Sequence, residues 1–205
     1  MEEKMSIQVS RPAPTFTATA VMPDNSFKDD FKLEDYRGKY VVLFFYPLDF
    51  TFVCPTEILE FNKKLAEFEK RNVQVIGCST DSHFSHLAWK NQDIKEGGIG
   101  NVQYPLVSDF DKSISRDYGV LLEDSGVALR GSFLIDKEGV LQHCVINSLD
   151  LGRNIDEMIR MVDALQYHEK YGAVCPAGWE PGEEAMKPSR DGLKEFFTKH
   201  AEEFK

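Results

Sequence analysis

The run Tyr40-Val41-Val42-Leu43-Phe44-Phe45-Tyr46 constrains the fold more than any other stretch of the chain. A β-branched, aliphatic and aromatic segment without polar interruption fits a strand covered on both faces, and Pro47 then lacks the donor that a continued ladder needs. Over residues 56–71 the period changes. Ile58, Phe61, Leu65 and Phe68 recur at helical spacing with charged residues between them, which predicts an amphipathic helix laid on the sheet. Val73-Gln74-Val75-Ile76-Gly77-Cys78 reads as a second buried strand, followed by a helix through Leu87 and Trp89 with Asp81 or Ser82 as its cap. Strand, helix, strand, helix is the order of a parallel, three-layer α/β structure, because parallel neighbours need a crossover that returns the chain to the same edge.

Residues 95–103 carry Gly97-Gly98-Ile99-Gly100 and read as a loop before a short segment over 104–107. A brief helix is expected over 111–118. Glu123-Asp124-Ser125-Gly126 predicts a turn between two short apolar runs, and Asp136-Lys137-Glu138-Gly139 a turn between strands at 132–135 and 140–146. Pairing here becomes antiparallel. Residues 154–167 return as a helix on Ile155, Met158, Ile159, Val162 and Leu165, and Gly and Pro residues then break up regular structure from Gly172 to Pro188. An amphipathic helix over 193–204 closes the chain. With few apolar residues before Phe196 and Phe197, this C-terminal arm reads as a segment that docks on another surface.

A length of 205 residues supports one domain with a substantial core, placed at 6–167, plus the arm at 168–205. Lys and Arg number 24 against 34 Asp and Glu, and the net charge of -10 repels phosphate backbones and anionic lipid, which argues against nucleic acid and membrane partners. The opening MEEKMSIQVS has no apolar leader core, and no stretch approaches the roughly 20 apolar residues of a membrane span, so the expected location is cytoplasmic. Cys54, Cys78, Cys144 and Cys175 are too few and too scattered for a secreted disulfide scaffold. Cys78 and Cys144 fall in predicted strands and are read as structural.

Cys54 has different surroundings. The segment 47–57 joins the C-terminal end of a buried strand to a helix, the edge at which open α/β sheets bind ligands. A cysteine in the first turn of a helix meets unsatisfied N–H groups and the positive end of the macrodipole, which favour thiolate, and Pro55 suits that turn. Thr51, three residues earlier, shares a face with the sulfur if the helix has begun there. The competing reading makes Cys54 a small buried hydrophobe and Thr51 a cap. Glu57 stands where a C-x-x-C dithiol places its second cysteine, so a thioredoxin-like disulfide oxidoreductase loses its central feature. His83 and His86 lack a nearby cysteine or second ligand pair, and they are read as helix-surface or interface residues. No metal and no other cofactor is expected.

The stretch Phe45-Tyr46-Pro47-Leu48-Asp49-Phe50-Thr51-Phe52-Val53-Cys54-Pro55-Thr56-Glu57 resembles, almost without a break, the peroxidatic motif of the typical two-cysteine peroxiredoxins. Val174-Cys175-Pro176-Ala177-Gly178-Trp179 is similar to that family's resolving-cysteine motif, and Arg130-Gly131-Ser132-Phe133-Leu134-Ile135-Asp136 to its active-site arginine segment. Ser79-Thr80-Asp81-Ser82-His83 and His86-Leu87-Ala88-Trp89 extend the likeness over nearly the whole chain.

The resemblance implies a thioredoxin-like three-layer α/β fold with a central mixed sheet and an extended arm ending in a short helix. It implies a thiol-dependent peroxidase for hydrogen peroxide and organic hydroperoxides, in which Cys54 attacks the peroxide and becomes a sulfenic acid. Pro47 then shields the sulfur, the Thr51 hydroxyl hydrogen-bonds the peroxide, and Arg130 stabilises thiolate and leaving oxygen. Glu57 and Arg153 hold that arginine. Cys175 captures the sulfenic acid across a two-fold homodimer, within a ring of dimers, after the first helical turn unwinds. Thioredoxin or a flavoprotein disulfide reductase is the implied electron donor. Gly97-Gly98-Ile99-Gly100 and Phe196-Phe197 are similar to the loop and tail of members that overoxidise readily. Phe196 replaces a usual tyrosine, which implies intermediate sensitivity. A holdase or redox relay switched by Cys54 oxidation is the second function compatible with these residues.

Overall fold

The chain enters its fold through a strand pair that the sequence announces weakly. β1 (Thr17–Val21) and β2 (Phe27–Lys32) are antiparallel neighbours, joined by a turn in which Asn25 has φ 67° and its N–H donates to the Met22 carbonyl at 3.0 Å. Pro23-Asp24-Asn25 is a turn signal, but β1 alternates small side chains and β2 reads FKDDFK, so neither presents the apolar contrast by which strands are recognised. The computed structural model describes residues 7–204; the expected domain start at Ser6, the opening segment before it, and the end of the arm at Lys205 lie outside the described residues.

β3 (Tyr40–Phe45) is buried at every position, as its uninterrupted apolar run requires. Beyond a loop, α1 (Cys54–Lys63) and α2 (Leu65–Lys70) replace the single helix expected over 56–71, which starts two residues earlier than expected and breaks at Lys64, φ -94° and ψ 5°. Phe61 stacks on Phe44 at 4.2 Å and meets Phe68 at 5.9 Å, so both helical pieces aim their apolar residues at the same core. That common aim is why the spacing runs through the break unseen.

β4 (Val73–Ser79) lies parallel to β3, and α3 (His83–Asn91) begins where the Ser82 hydroxyl accepts from the Ser85 N–H at 3.2 Å. β5 (Leu106–Ser108) pairs parallel with β4. Gly77 is demanded here by packing: a Cβ would stand 2.8 Å from Leu106 Cδ2 and 3.0 Å from Phe44 Cζ. α4 (Ser113–Asp117) precedes the small antiparallel pair β6 (Leu121–Leu122) and β7 (Val127–Ala128). β8 (Arg130–Ile135) and β9 (Leu141–Asn147) form the expected hairpin. The seven-stranded sheet runs β2-β1-β5-β4-β3-β8-β9, and β3 is the strand at which parallel pairing with β4 changes to antiparallel pairing with β8.

The chain divides into two compact units after Ile155. In the second, α5 (Ile155–Tyr171) continues past the expected end at 167, and Val174 and Met186 then bridge antiparallel, with N–H···O distances of 2.8 and 3.1 Å. α6 (Arg190–His200) starts earlier than expected because the Ser189 hydroxyl caps it through the Gly192 N–H at 3.1 Å. No helix among the described residues is long and apolar enough to cross a membrane.

Candidate active site

Cys54 is the first residue of α1, with Pro55 second and Val53 as an N-cap that supplies no side-chain acceptor. Its N–H therefore belongs to the group of helix-start donors without an intrahelical partner. The residue is fully buried. Arg130, at the start of β8, places Nη1 3.4 Å from the Cys54 sulfur and 2.7 Å from Glu57 Oε2. Its Nε donates to the Leu149 carbonyl at 2.7 Å, which fixes the plane of the guanidinium.

Glu57, one turn into α1, is held from its other side by Arg153, whose Nε and Nη2 reach the two carboxylate oxygens at 2.8 Å each. The Arg153 backbone N–H adds a third donor at 2.9 Å. Arg153 Nη1 reaches the carbonyls of Phe45 and Gly131 at 2.8 Å each, and its guanidinium lies over the Phe44 ring at 5.3 Å. Burial alone would raise the Glu57 carboxyl, but the hydrogen bonds and charge of Arg153, with the charge of Arg130, hold it below its ordinary value. The side chains of Arg130, Glu57 and Arg153 are 4%, 3% and 2% exposed, so their charges must be compensated internally. Two guanidiniums and one carboxylate leave one positive charge uncompensated, and the sulfur of Cys54 is the atom beside it.

The structure thus brings Cys54, Glu57, Arg130 and Arg153 together, while Pro47 and Thr51 lie on the preceding loop. Pro47 is buried. Thr51 does not share a helical face with Cys54, because α1 has not begun there; its hydroxyl instead donates to the Leu48 carbonyl at 2.8 Å. Phe50 holds this loop in a left-handed conformation at φ 55°, which costs a non-glycine residue of order 1–3 kcal/mol and needs surrounding contacts to persist.

Those contacts come from residues that the sequence does not connect with this loop: Asp81 reads as a candidate helix cap and His86 as a helix-surface or interface residue. The Asp49 carboxylate meets the Tyr46 hydroxyl at 3.0 Å and His86 Nδ1 at 2.8 Å, and the Asp49 N–H donates to Asp81 at 2.9 Å. His86 Nε2 faces the Val107 carbonyl at 3.2 Å. His86 is therefore not a surface residue: it is fully buried, because α3 turns it inward to hold the loop. No periodicity signalled this, since a histidine on an amphipathic helix looks the same whether it meets water or a buried carboxylate. Burial and the neighbouring Asp49 charge push the Asp81 carboxyl up, with burial the larger cause.

Of the other cysteines, Cys78 is fully buried in β4, and burial pushes its thiol well up. Cys144 is half-buried in β9. Cys175 lies in the second unit, half-buried, with its thiol 3.7 Å from the Ala164 carbonyl; burial raises it and the charge of Arg160 opposes that rise.

Residues 9–144 match the model of the AhpC/TSA family, and residues 164–199 match the C-terminal domain of 1-Cys peroxiredoxin. Peroxiredoxin-1 of Gallus gallus is 57% identical over 191 residues, covering 93% of this chain and 96% of its own length. Peroxiredoxin-2 of Bos taurus is 57% identical over 192 residues, covering 94% and 96%. Among solved structures, the reduced 2-Cys peroxiredoxin of Plasmodium vivax is 51% identical with a TM-score of 0.91, over 94% of this chain and 99% of that one. A Plasmodium yoelii Prx1a, modified at its N-terminus and described as an artifactual octamer, is 54% identical with a TM-score of 0.76, over 84% and 99%. The mixed seven-stranded sheet is the thioredoxin-like core expected for such proteins. The first of the two family matches runs through the helix that opens on Cys54 and the strand that opens on Arg130, so sequence, fold and buried thiol agree that this chain belongs to the AhpC/TSA family and is a peroxiredoxin, a thiol-dependent peroxidase.

Proposed function

We propose that Cys54 is the peroxide-attacking residue, and the observation that carries the assignment is the Arg130 guanidinium 3.4 Å from its sulfur, within a buried cluster of net positive charge. A thiolate at that position completes the charge balance of the cluster. It attacks the terminal oxygen of a hydroperoxide; the S–O bond forms, the O–O bond breaks, and the departing alkoxide or hydroxide takes up a proton to leave as alcohol or water. Arg130 stabilises the charge moving onto the leaving oxygen, and Glu57 and Arg153 keep its guanidinium in place. Pro47 covers the sulfur, and the Thr51 hydroxyl, which donates to Leu48 in the resting protein, turns to the substrate.

The sulfenic acid so formed is captured by Cys175 of a second subunit, with loss of water, to give an intersubunit disulfide. The peroxidase domain spans 6–167 and the arm 168–205 delivers the second thiol. The working form is a homodimer within a ring of dimers, and the solved octamer of the Plasmodium yoelii relative, though described as artifactual, supports self-association of such chains. Thioredoxin or a flavoprotein disulfide reductase returns the disulfide to thiols, and the compartment is the cytoplasm. One equivalent of hydrogen peroxide should convert the protein to a covalent dimer on non-reducing electrophoresis, with a tryptic peptide linking Cys54 to Cys175. A bridge within one chain, or full peroxide turnover by Cys54→Ser, would overturn the assignment.

A further inference from the structure

The second compact unit contains an arginine that the chemistry at Cys54 does not use. On α5, Glu157 grips the Arg160 guanidinium two-pronged, at 2.6 Å to Nε and 2.7 Å to Nη2, which leaves Nη1 pointing at the Trp179 carbonyl at 2.7 Å. Trp179 ends the segment that starts at Cys175, which contains a turn over residues 176–179. Its N–H closes that turn on the Pro176 carbonyl at 3.1 Å, its ring packs on Tyr167 of α5 at 4.9 Å, and it is 2% exposed. The segment is thus tied to α5 at both ends, by Arg160 at Trp179 and by the Cys175 thiol at the Ala164 carbonyl, 3.7 Å away.

We propose that Arg160 is a positioning residue for the resolving step: held by Glu157 and bonded to the Trp179 carbonyl, it docks the Cys175–Trp179 segment on α5 and keeps a guanidinium at that segment. The proposal rests on the reading of Cys175 as the resolving thiol. In that step the Cys175 sulfur attacks the Cys54 sulfenic sulfur, an S–S bond forms and the S–O bond breaks. The departing hydroxide takes up the proton lost by Cys175, so water leaves; the Cys54 sulfur is reduced and that of Cys175 oxidised. The nucleophile is the thiolate, so its population is one factor in the rate, beside the opening of the first turn of α1. In the docked arm two influences work against ionisation, burial and the carbonyl of Ala164, which accepts a hydrogen bond only from the protonated thiol. Arg160 works in the opposite direction. Besides Arg160, α5 carries Asp156, Glu157, Asp163, Tyr167, His168, Glu169, Lys170 and Tyr171, and Glu180 and Glu183 follow Trp179. Glu157 is spent on Arg160, His168 Nδ1 lies 2.8 Å from the Ala173 carbonyl, and the Glu183 carboxylate accepts from the Glu180 N–H at 2.7 Å.

The test measures iodoacetamide alkylation of Cys175 against pH by peptide mass, in Cys54→Ser protein carrying Arg160, Arg160→Lys or Arg160→Gln. Glutamine carries no charge and ends about where Nε lies, short of the Trp179 carbonyl, so it removes both the cation and the docking contact. Its alkylation midpoint should move to higher pH, with about threefold to tenfold less thiolate at pH 7, while lysine keeps most of the original midpoint. With Cys54 restored, Arg160→Gln should form sulfenic acid at the parent rate and the disulfide slower by the same factor. Equal midpoints for Arg160 and Arg160→Gln, or equal rises in the lysine and glutamine proteins, would overturn the proposal. Persistence of the disulfide in Cys175→Ser would instead sink the resolving role itself, and it would leave the alkylation result standing.

Discussion

Replacing Arg130 by glutamine leaves Glu57 and Arg153 as a neutral pair and removes the donor 3.4 Å from the Cys54 sulfur. Loss of one such preorganised donor costs about 10²–10³-fold in rate. Stopped-flow oxidation of Arg130→Gln by hydrogen peroxide should therefore show a kcat/KM lower by that factor, with Arg130→Lys between the two, and an unchanged rate would remove Arg130 from the reaction. Glu57 carries a different prediction. Its folded carboxyl titrates below the ordinary 4.5, so the stability it contributes is present above that value and is lost as pH falls through the folded one. Urea unfolding of the parent should lose stability below about pH 4.5. Glu57→Gln should begin about 3–5 kcal/mol less stable, because two buried guanidiniums lose their counter-ion, and its acid decline should be shallower. The same residues show what a sequence can and cannot disclose. That Glu57 is not cysteine was enough to set aside a C-x-x-C dithiol. That it sits between two arginines from positions 73 and 96 residues away is a fact of topology, which the family resemblance supplied and local spacing could not.

α1 begins on Cys54, the proposed nucleophile, and its start has no side-chain cap. The Val53 carbonyl accepts from the Thr56 N–H at 3.1 Å, but its side chain offers no acceptor to the first turn. Cys54 is fully buried, so the proposed capture of its sulfenic acid by another thiol requires this turn to open. A Val53→Ser cap should add about 1 kcal/mol to the closed turn, slow disulfide formation up to about fivefold, and raise the yield of Cys54 sulfinic acid under excess peroxide. Rapid-quench mass spectrometry would show both effects, and an unaltered disulfide rate would refute the opening step. Elements with strong contrast were legible: β3 and β4 as unbroken apolar runs, the Ser82 cap of α3, the β8–β9 hairpin. β1 and β2 were not, because small alanines and a charged FKDDFK run conceal their alternation. The break at Lys64 escaped for the opposite reason, since packing on one core preserved the helical spacing across it.

At the scale of the molecule, Phe84 on α3 and Phe110 after β5 are 65% and 72% exposed, and Phe84 meets Phe27 edge-on at 5.6 Å. Large aromatics grouped on a surface mark a contact between chains. Phe84→Asp should shift sedimentation of the reduced protein toward smaller species, and an unchanged mass would exclude this face from the assembly. The sheet bears on the chemistry in another way. Beyond the pair Phe44–Ser132 the antiparallel ladder between β3 and β8 ends, and the Phe45 and Gly131 carbonyls both accept from Nη1 of Arg153. A side chain from a distant loop has become the next rung. The electrostatic frame around the sulfur therefore inherits the stiffness of the sheet's backbone, while the proposed nucleophile sits at a helix end without a side-chain cap. If the first turn of α1 opens during turnover as proposed, Cys54 has the same sheet-anchored arginines to return to.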